Sequence, residues 1–237
     1  FIKKNSLVIC SSYSGNTEET VNVLKQAHEV GATVICISSG GKLIEFAKKN
    51  NIDFIQVPGG MPPRTCLGYS VVQLMHCLTV NKLIPVKLMK QLEKIPDFLE
   101  KEKANLNKLS AQLADSLYDK LPIIYADERF EGVAVRYRQQ INENPKMLCW
   151  HHIIPEMNHN ELVGWAGGSE KYSVLFLRND SDFQRNQVRI ESSKKIISKY
   201  TKNIIEVYSK GNSEIEKTLY LILITDWISV YLADIYK

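Results

Sequence analysis

Ser12, Ser14 and Thr17 stand close together in SSYSGNTEET, residues 11–20, with Gly15 among them. The apolar run at 7–10 precedes this stretch, and Val21, Val23, Leu24 and Ala27 follow it at helical spacing. A hydroxyl-rich loop is therefore predicted between a buried strand and the start of a helix over 18–29. A helix start presents unpaired N–H groups and the positive end of its dipole, and a glycine lets a ligand approach the backbone closely. Hydroxyl donors added to such a site suit a phosphate. A nucleotide P-loop is excluded, because it requires a lysine before its last Ser/Thr. The same residue types also suit an ordinary helix cap, and spacing alone leaves that alternative open.

Three further residues have types and surroundings that can do chemistry. Arg64 closes the turn PGGMPPR at 58–64, between a strand over 53–57 and a helix over 65–80. It falls just past a strand's C-terminal end, where open parallel sheets bind ligands, and is expected to face the same crevice as the serine loop. A solvated arginine is the plainer alternative. Glu143 lies in INENPK at 141–146, at the end of a helix over 130–142, with the amides of Asn142 and Asn144 on either side to orient a carboxylate. Such a carboxylate suits a general base, although glutamates are mostly exposed and inert. His159 lies in PEMNHNELVGW at 155–165, and an imidazole can carry protons near pH 7. His151 and His152 suggest a metal only superficially, because adjacent residues of a strand point to opposite faces.

Composition bounds what these residues serve. The chain has 237 residues, 44% hydrophobic and 24% charged, which is ordinary for a globular protein. Lys and Arg number 30 against 26 Asp and Glu, without clustering, so nucleic acid is not an expected partner. No run is read as long enough to span a membrane, no secretory leader is recognised, and a cytoplasmic protein is expected. Cys10, Cys36, Cys66, Cys77 and Cys149 are odd in number and mostly embedded in apolar segments, which suits free thiols rather than disulfides or zinc. The chain begins at Phe1, shortly before a strand that needs parallel partners, and is read as a fragment.

The elements that must position these residues follow βαβ grammar. Strands are predicted over 7–10, 33–37 and 53–57, with helices over 18–29, 43–50 and 65–80. Residues 82–120 are apolar at helical spacing, interrupted by Pro96, and a helix over 97–118 opens a second half. There, strands are predicted over 122–125, 172–177 and 203–208, with helices over 130–142, 187–200 and 214–236. The last helix is apolar nearly all round, so it is expected to be buried between layers or at a subunit contact.

The serine loop, the Pro-Pro-Arg turn, and the pair INENPK and PEMNHNELVGW, in that order, resemble the bifunctional phosphoglucose/phosphomannose isomerases of the sugar isomerase (SIS) superfamily. The resemblance covers essentially the whole chain. It implies an α/β fold of two SIS-type αβα-sandwich domains with parallel, flavodoxin-like sheets, here over 1–98 and 99–237. The N-terminal domain would lack its first part and the C-terminal one its tail, where the family carries a Thr and a catalytic Lys. It further implies a homodimer with shared active sites, no cofactor and no metal, acting on a sugar phosphate. Carried residue by residue, Ser12, Ser14 and Thr17 bind the phosphate, Glu143 is the base, Arg64 stabilises the enediolate, and His159 from the neighbouring subunit assists ring opening. A non-catalytic SIS module that binds a sugar phosphate and regulates a partner is the rival; it needs the serine loop but neither Glu143 nor His159.

Overall fold

A computed structural model describes residues 1–237 and divides them into two compact units, Phe1–Leu92 and Glu93–Lys237. The first unit alternates β1 (Leu7–Ser11), α1 (Glu18–Glu29), β2 (Thr33–Ser38), α2 (Gly41–Lys49) and β3 (Asp53–Gln56), then adds α3 (Leu67–Val80) and α4 (Lys87–Leu92). Its sheet is parallel in the order β1-β2-β3, with Cys10 beside Cys36 and Ile37 beside Ile55. Alternate side chains leave opposite faces of a strand. Cys10, Val34 and Cys36 accordingly pack with Val21, Leu24 and Ala27 of α1 and Leu43 and Ala47 of α2, whereas Ile37 and Val57 pack with Cys77 of α3.

The second unit opens with α5 (Ile95–Leu117) and continues through β4 (Leu121–Asp127), α6 (Glu131–Glu143), β5 (Trp150–Ile154), α7 (Glu156–His159), α8 (Glu161–Gly164), β6 (Tyr172–Arg178), α9 (Gln184–Ile197), β7 (Ile204–Tyr208) and α10 (Glu214–Ile235). All its strands are parallel, in the order β5-β4-β6-β7. β4 and β6 read as continuous apolar runs because both their faces are covered. Ile124, Ala126, Leu175 and Leu177 face α5, α6 and α10, while Ile123, Tyr125, Val174 and Phe176 face Met157, Trp165, Ile190 and Ile197. Each fully buried aliphatic side chain of this kind contributes about 1.5–3 kcal/mol of transfer free energy.

Four sequence expectations need correcting. Pro96 does not interrupt a helix but occupies the first turn of α5, where its missing N–H has no partner to lose. The strand β5 is not among the predicted strands: Trp-His-His-Ile-Ile has neither alternation nor a plainly apolar run. The helix predicted over 187–200 lies three residues earlier, at Gln184–Ile197. Finally, α10 is by length and composition able to cross a membrane, with mean hydropathy 1.5, although the sequence reading found no such run. Its Tyr220, Leu221, Ile224, Ile228 and Leu232 belong to the core, so it is packed as a core helix. A capping box starts it: Ser213 Oγ accepts from Glu216 N at 3.3 Å, and Glu216 Oε2 accepts from Ser213 N at 2.9 Å. Ser110 and Ala114, both buried, let α5 lie close to it, and Ser110 Oγ donates to the Ile224 carbonyl at 3.2 Å.

In the second sheet the strand order reverses between β4 and β6, and in open α/β sheets ligands usually occupy the crevice beyond the strand ends at that point. Here the chain's own charges fill that edge. Asp127 ends β4 and Asp182 follows β6, both buried, with Arg129 Nε 3.2 Å from Asp127 Oδ1 and Nη2 3.6 Å from Asp182 Oδ1. Asn186 Nδ2 donates to Asp127 Oδ2 at 2.8 Å.

Burial, reinforced by the neighbouring Asp127 charge, pushes the Asp182 carboxyl up to about 6 from 3.8. The folded protein therefore holds this proton to higher pH than the unfolded chain does. The contribution of Asp182 to stability declines as pH rises from about 4 to 6 and stays lost above that. Asp182→Asn, which keeps an acceptor for the Asn179 N–H, should accordingly raise the melting temperature at pH 7 by roughly 2–4 °C. That gain should vanish toward pH 4; melting curves across this range provide the check.

Candidate active site

Ser12, Ser14 and Thr17 form one loop over the C-terminal end of β1. Thr17 holds the N-cap position of α1, yet its hydroxyl makes no capping bond. It lies 2.8 Å from Ser12 Oγ instead, and Ser12 Oγ also accepts from Gly15 N at 3.2 Å. This removes the ordinary-cap alternative for Thr17, because the hydroxyl does not satisfy the helix N–H groups that an anion would otherwise use. Ser12 is buried and shapes the loop, whereas Ser14 and Thr17 are exposed. Ser14 Oγ accepts from Asn16 N at 3.3 Å.

A second loop supports the first. Gly15, at φ 68°, lies so near the turn after β2 that a Cβ there would sit 1.8 Å from the Gly40 carbonyl oxygen. Only glycine satisfies both the left-handed backbone and that approach. Leu43 N donates to the Gly15 carbonyl at 3.0 Å, Lys42 N to Asn16 Oδ1 at 3.2 Å, and Ser39 Oγ to the Tyr13 carbonyl at 2.6 Å. Tyr13 extends the support to the third loop: its hydroxyl donates to the Pro58 carbonyl at 3.0 Å and accepts from Met61 N at 3.2 Å. That loop leads into the single helical turn Pro63–Thr65, which carries an exposed Arg64. Within the first unit, then, the serine loop and the Arg64 turn stand at the same edge of one sheet and are joined through Tyr13.

In the second unit, Glu143 is the last residue of α6 and is exposed. The turn beyond it is held firmly. Lys146, at φ 61°, donates from Nζ to the Glu143 carbonyl, Asn142 Nδ2 donates to the Met147 carbonyl at 2.8 Å, and Asn144 Nδ2 to Ser229 Oγ of α10 at 2.8 Å. The two amides thus fix the turn that carries the carboxylate. One and two turns back, Gln140 Nε2 and the Nε and Nη2 of Arg136 donate to the Asp226 carboxylate of α10, at 3.1, 3.0 and 2.6 Å. His159 ends α7, beyond the far end of β5, with its side chain exposed. Since α6 runs back antiparallel to β4, Glu143 lies toward the edge where the strands begin, and His159 beyond the edge where β5 ends. The five residues of β5 span about 16 Å.

His151 and His152 alternate on β5 as strand geometry requires. His152 Nδ1 is 3.0 Å from Glu161 Oε2, and no group of three His, Cys, Asp or Glu side chains is placed to hold a metal ion. The five cysteines are free, and burial pushes the thiols of Cys36 and Cys149 up to about 12. They are poor nucleophiles in this setting. The sequence reading missed Tyr13, Ser39 and Glu161 as organising residues. The run of turn-forming residues at 38–41, just past the strand predicted over 33–37, is the signal for the second loop in the sequence.

Parallel sheets flanked by helices, with a hydroxyl-lined loop at a strand's C-terminal end, define an α/β protein built of parallel-sheet sandwich units. Residues 106–237 match the family described as the bacterial phospho-glucose isomerase C-terminal SIS domain. The chain is 34% identical over 238 residues to the bifunctional phosphoglucose/phosphomannose isomerase of Aquifex aeolicus (strain VF5), covering 100% of this chain and 72% of the relative. It is 36% identical over 247 residues to the protein of the same name from Caldicellulosiruptor bescii, covering 100% and 73%. Among solved structures, the C-terminal domain of glucosamine-fructose-6-phosphate aminotransferase from Francisella tularensis superposes with a TM-score of 0.77 at 15% identity, over 98% of this chain and 71% of that one, a likeness of fold. The chain belongs to the family of bifunctional phosphoglucose/phosphomannose isomerases.

Proposed function

We infer that the protein is an aldose–ketose isomerase that interconverts glucose 6-phosphate and mannose 6-phosphate with fructose 6-phosphate through an enediol. The observation that carries this reading is the family match along the whole chain. Nothing in these relatives favours the non-catalytic regulatory alternative.

The reaction moves a proton from C2 of the aldose to C1 of the ketose and the hydroxyl proton from O2 to O1; the electron pair freed at C2 is held as an enediolate, its charge first on O1 and, after the hydroxyl proton has moved, on O2. It requires a carboxylate base and a cation near those oxygens. In this reading Glu143 removes the C2 proton and returns a proton to C1, Arg64 faces the enediolate oxygen, and His159 opens the sugar ring by exchanging a proton with the ring oxygen. Ser12, Ser14 and Thr17 hold the phosphate, with the α1 N-terminus behind them. The protein acts as a homodimer in the cytoplasm, and His159 enters the partner subunit's site. The opposed placement of Glu143 and His159 about β5 supports that sharing, and a symmetric dimer would form two such sites.

A coupled assay that follows fructose 6-phosphate from each aldose tests the reading; turnover of neither sugar would overturn it. The phosphate loop should behave as a binding element. Ser14→Ala removes one hydrogen bond to a charged group and should raise KM about tenfold or more while kcat changes little. Steady-state kinetics with either aldose provide the check.

A further inference from the structure

The segment between β5 and β6 carries His159 on two helices of only four residues each. Helices this short cannot hold themselves in place through their own hydrogen bonds, so something else must fix the turn. Met157 is buried in the core, and a carboxylate ties the following turn to the sheet. Glu161, two residues past His159, accepts from the Tyr125 hydroxyl of β4 and from Trp150 Nε1 of β5 at 3.0 Å on Oε1, and from His152 Nδ1 of β5 at 3.0 Å on Oε2. A carboxylate only accepts, so the imidazole hydrogen is on Nδ1. Trp165 Nε1 closes the network by donating to the Tyr125 hydroxyl at 2.9 Å. Tyr125 and Trp165 are both buried, so the anchor end of this network is rigid. Further bonds act on the same segment: Asn160 Oδ1 accepts from Glu161 N at 2.6 Å, and Asn158 Nδ2 donates to Ser193 Oγ at 2.7 Å. The indole rings of Trp150 and Trp165 meet Tyr172 edge-on and line, with Glu161, a cavity of roughly 190 Å³.

We propose that Glu161 is a positioning residue, whose carboxylate draws Tyr125, Trp150 and His152 together and thereby fixes the turn that presents His159 to the reacting sugar. The proposal rests on the reading that His159 assists ring opening. Proton transfer falls steeply when a group is displaced by about 1 Å, so loosening this turn lowers turnover without touching the phosphate loop that dominates binding.

The test uses the whole chain in four forms: wild type, Glu161→Gln, His159→Ala and the double variant. Glu161→Gln replaces one acceptor oxygen by an NH2 group facing a donor. It should lower kcat about tenfold with KM within twofold. In the His159→Ala background the same change should cost less than twofold, because the residue it positions is already gone. A Glu161→Gln protein with kcat within twofold of wild type, or a loss that multiplies fully with that of His159→Ala, overturns the proposal. A His159→Ala protein of normal turnover removes the underlying reading and the proposal with it, and is distinguishable because it needs no Glu161 variant. If Glu161→Gln fails to fold, Trp150→Phe carries the test, since it removes one donor from a partly exposed side chain. It should lower kcat about threefold at unchanged KM, again only when His159 is present; an unchanged kcat counts against the proposal.

Discussion

Glu143→Gln should abolish most turnover, lowering kcat by about two to four orders of magnitude and kcat/KM in proportion, with KM little changed. The substitution preserves the size and hydrogen-bonding reach of the side chain and removes only its basicity. The turn that carries it is braced by other side chains. Lys146 and Asn142 brace the backbone of the turn, Asn144 ties it to Ser229, and Arg136 with Gln140 ties α6 to Asp226. The variant should therefore stay folded and still bind substrate, which separates loss of chemistry from loss of structure. Rates and melting curves on the same preparation make the measurement. Near-normal turnover would assign the base to another residue.

Mixing inactive Glu143→Gln and His159→Ala proteins should restore about a quarter of wild-type activity once subunits exchange at random. Half of the dimers are then mixed. Each mixed dimer contains one site with both residues intact and one with both altered, because a two-fold axis repeats every contact reciprocally. The effect is large because it starts from two nearly dead proteins. It depends on His159 and Glu143 serving one site from different chains, which their placement about β5 motivates. Full exchange, followed by native mass spectrometry, with no recovered activity would put His159 in its own chain's site or outside the chemistry.

Much of this architecture was legible in the sequence because its signals are local. Buried parallel strands such as Val174–Leu177 read as uninterrupted apolar runs, and the serine loop announces itself between such a run and a helical pattern. What was not legible depends on contacts between distant residues. Tyr13 looked like any loop aromatic, yet its backbone and hydroxyl join the loops after all three strands of the first unit. β5 was hidden because its histidines are polar by type; His152 is accommodated on the strand by Glu161, which lies nine positions later. Pro96 misled because proline breaks helix interiors and opens helix starts equally well, and only the neighbouring structure decides which. The amides of Asn142 and Asn144, expected from the sequence to orient the Glu143 carboxylate, donate to the Met147 carbonyl and to Ser229 of α10.

The central claim, enediol isomerisation by this protein, is tested most directly by supplying glucose 6-phosphate and mannose 6-phosphate in heavy water and following the products by NMR. The predicted result is fructose 6-phosphate from both aldoses, with part of its C1 hydrogen drawn from solvent, because a carboxylate base holding the proton between C2 and C1 exchanges it in some turnovers. Binding of both sugars without turnover, or product that retains all of the substrate hydrogen, would contradict it.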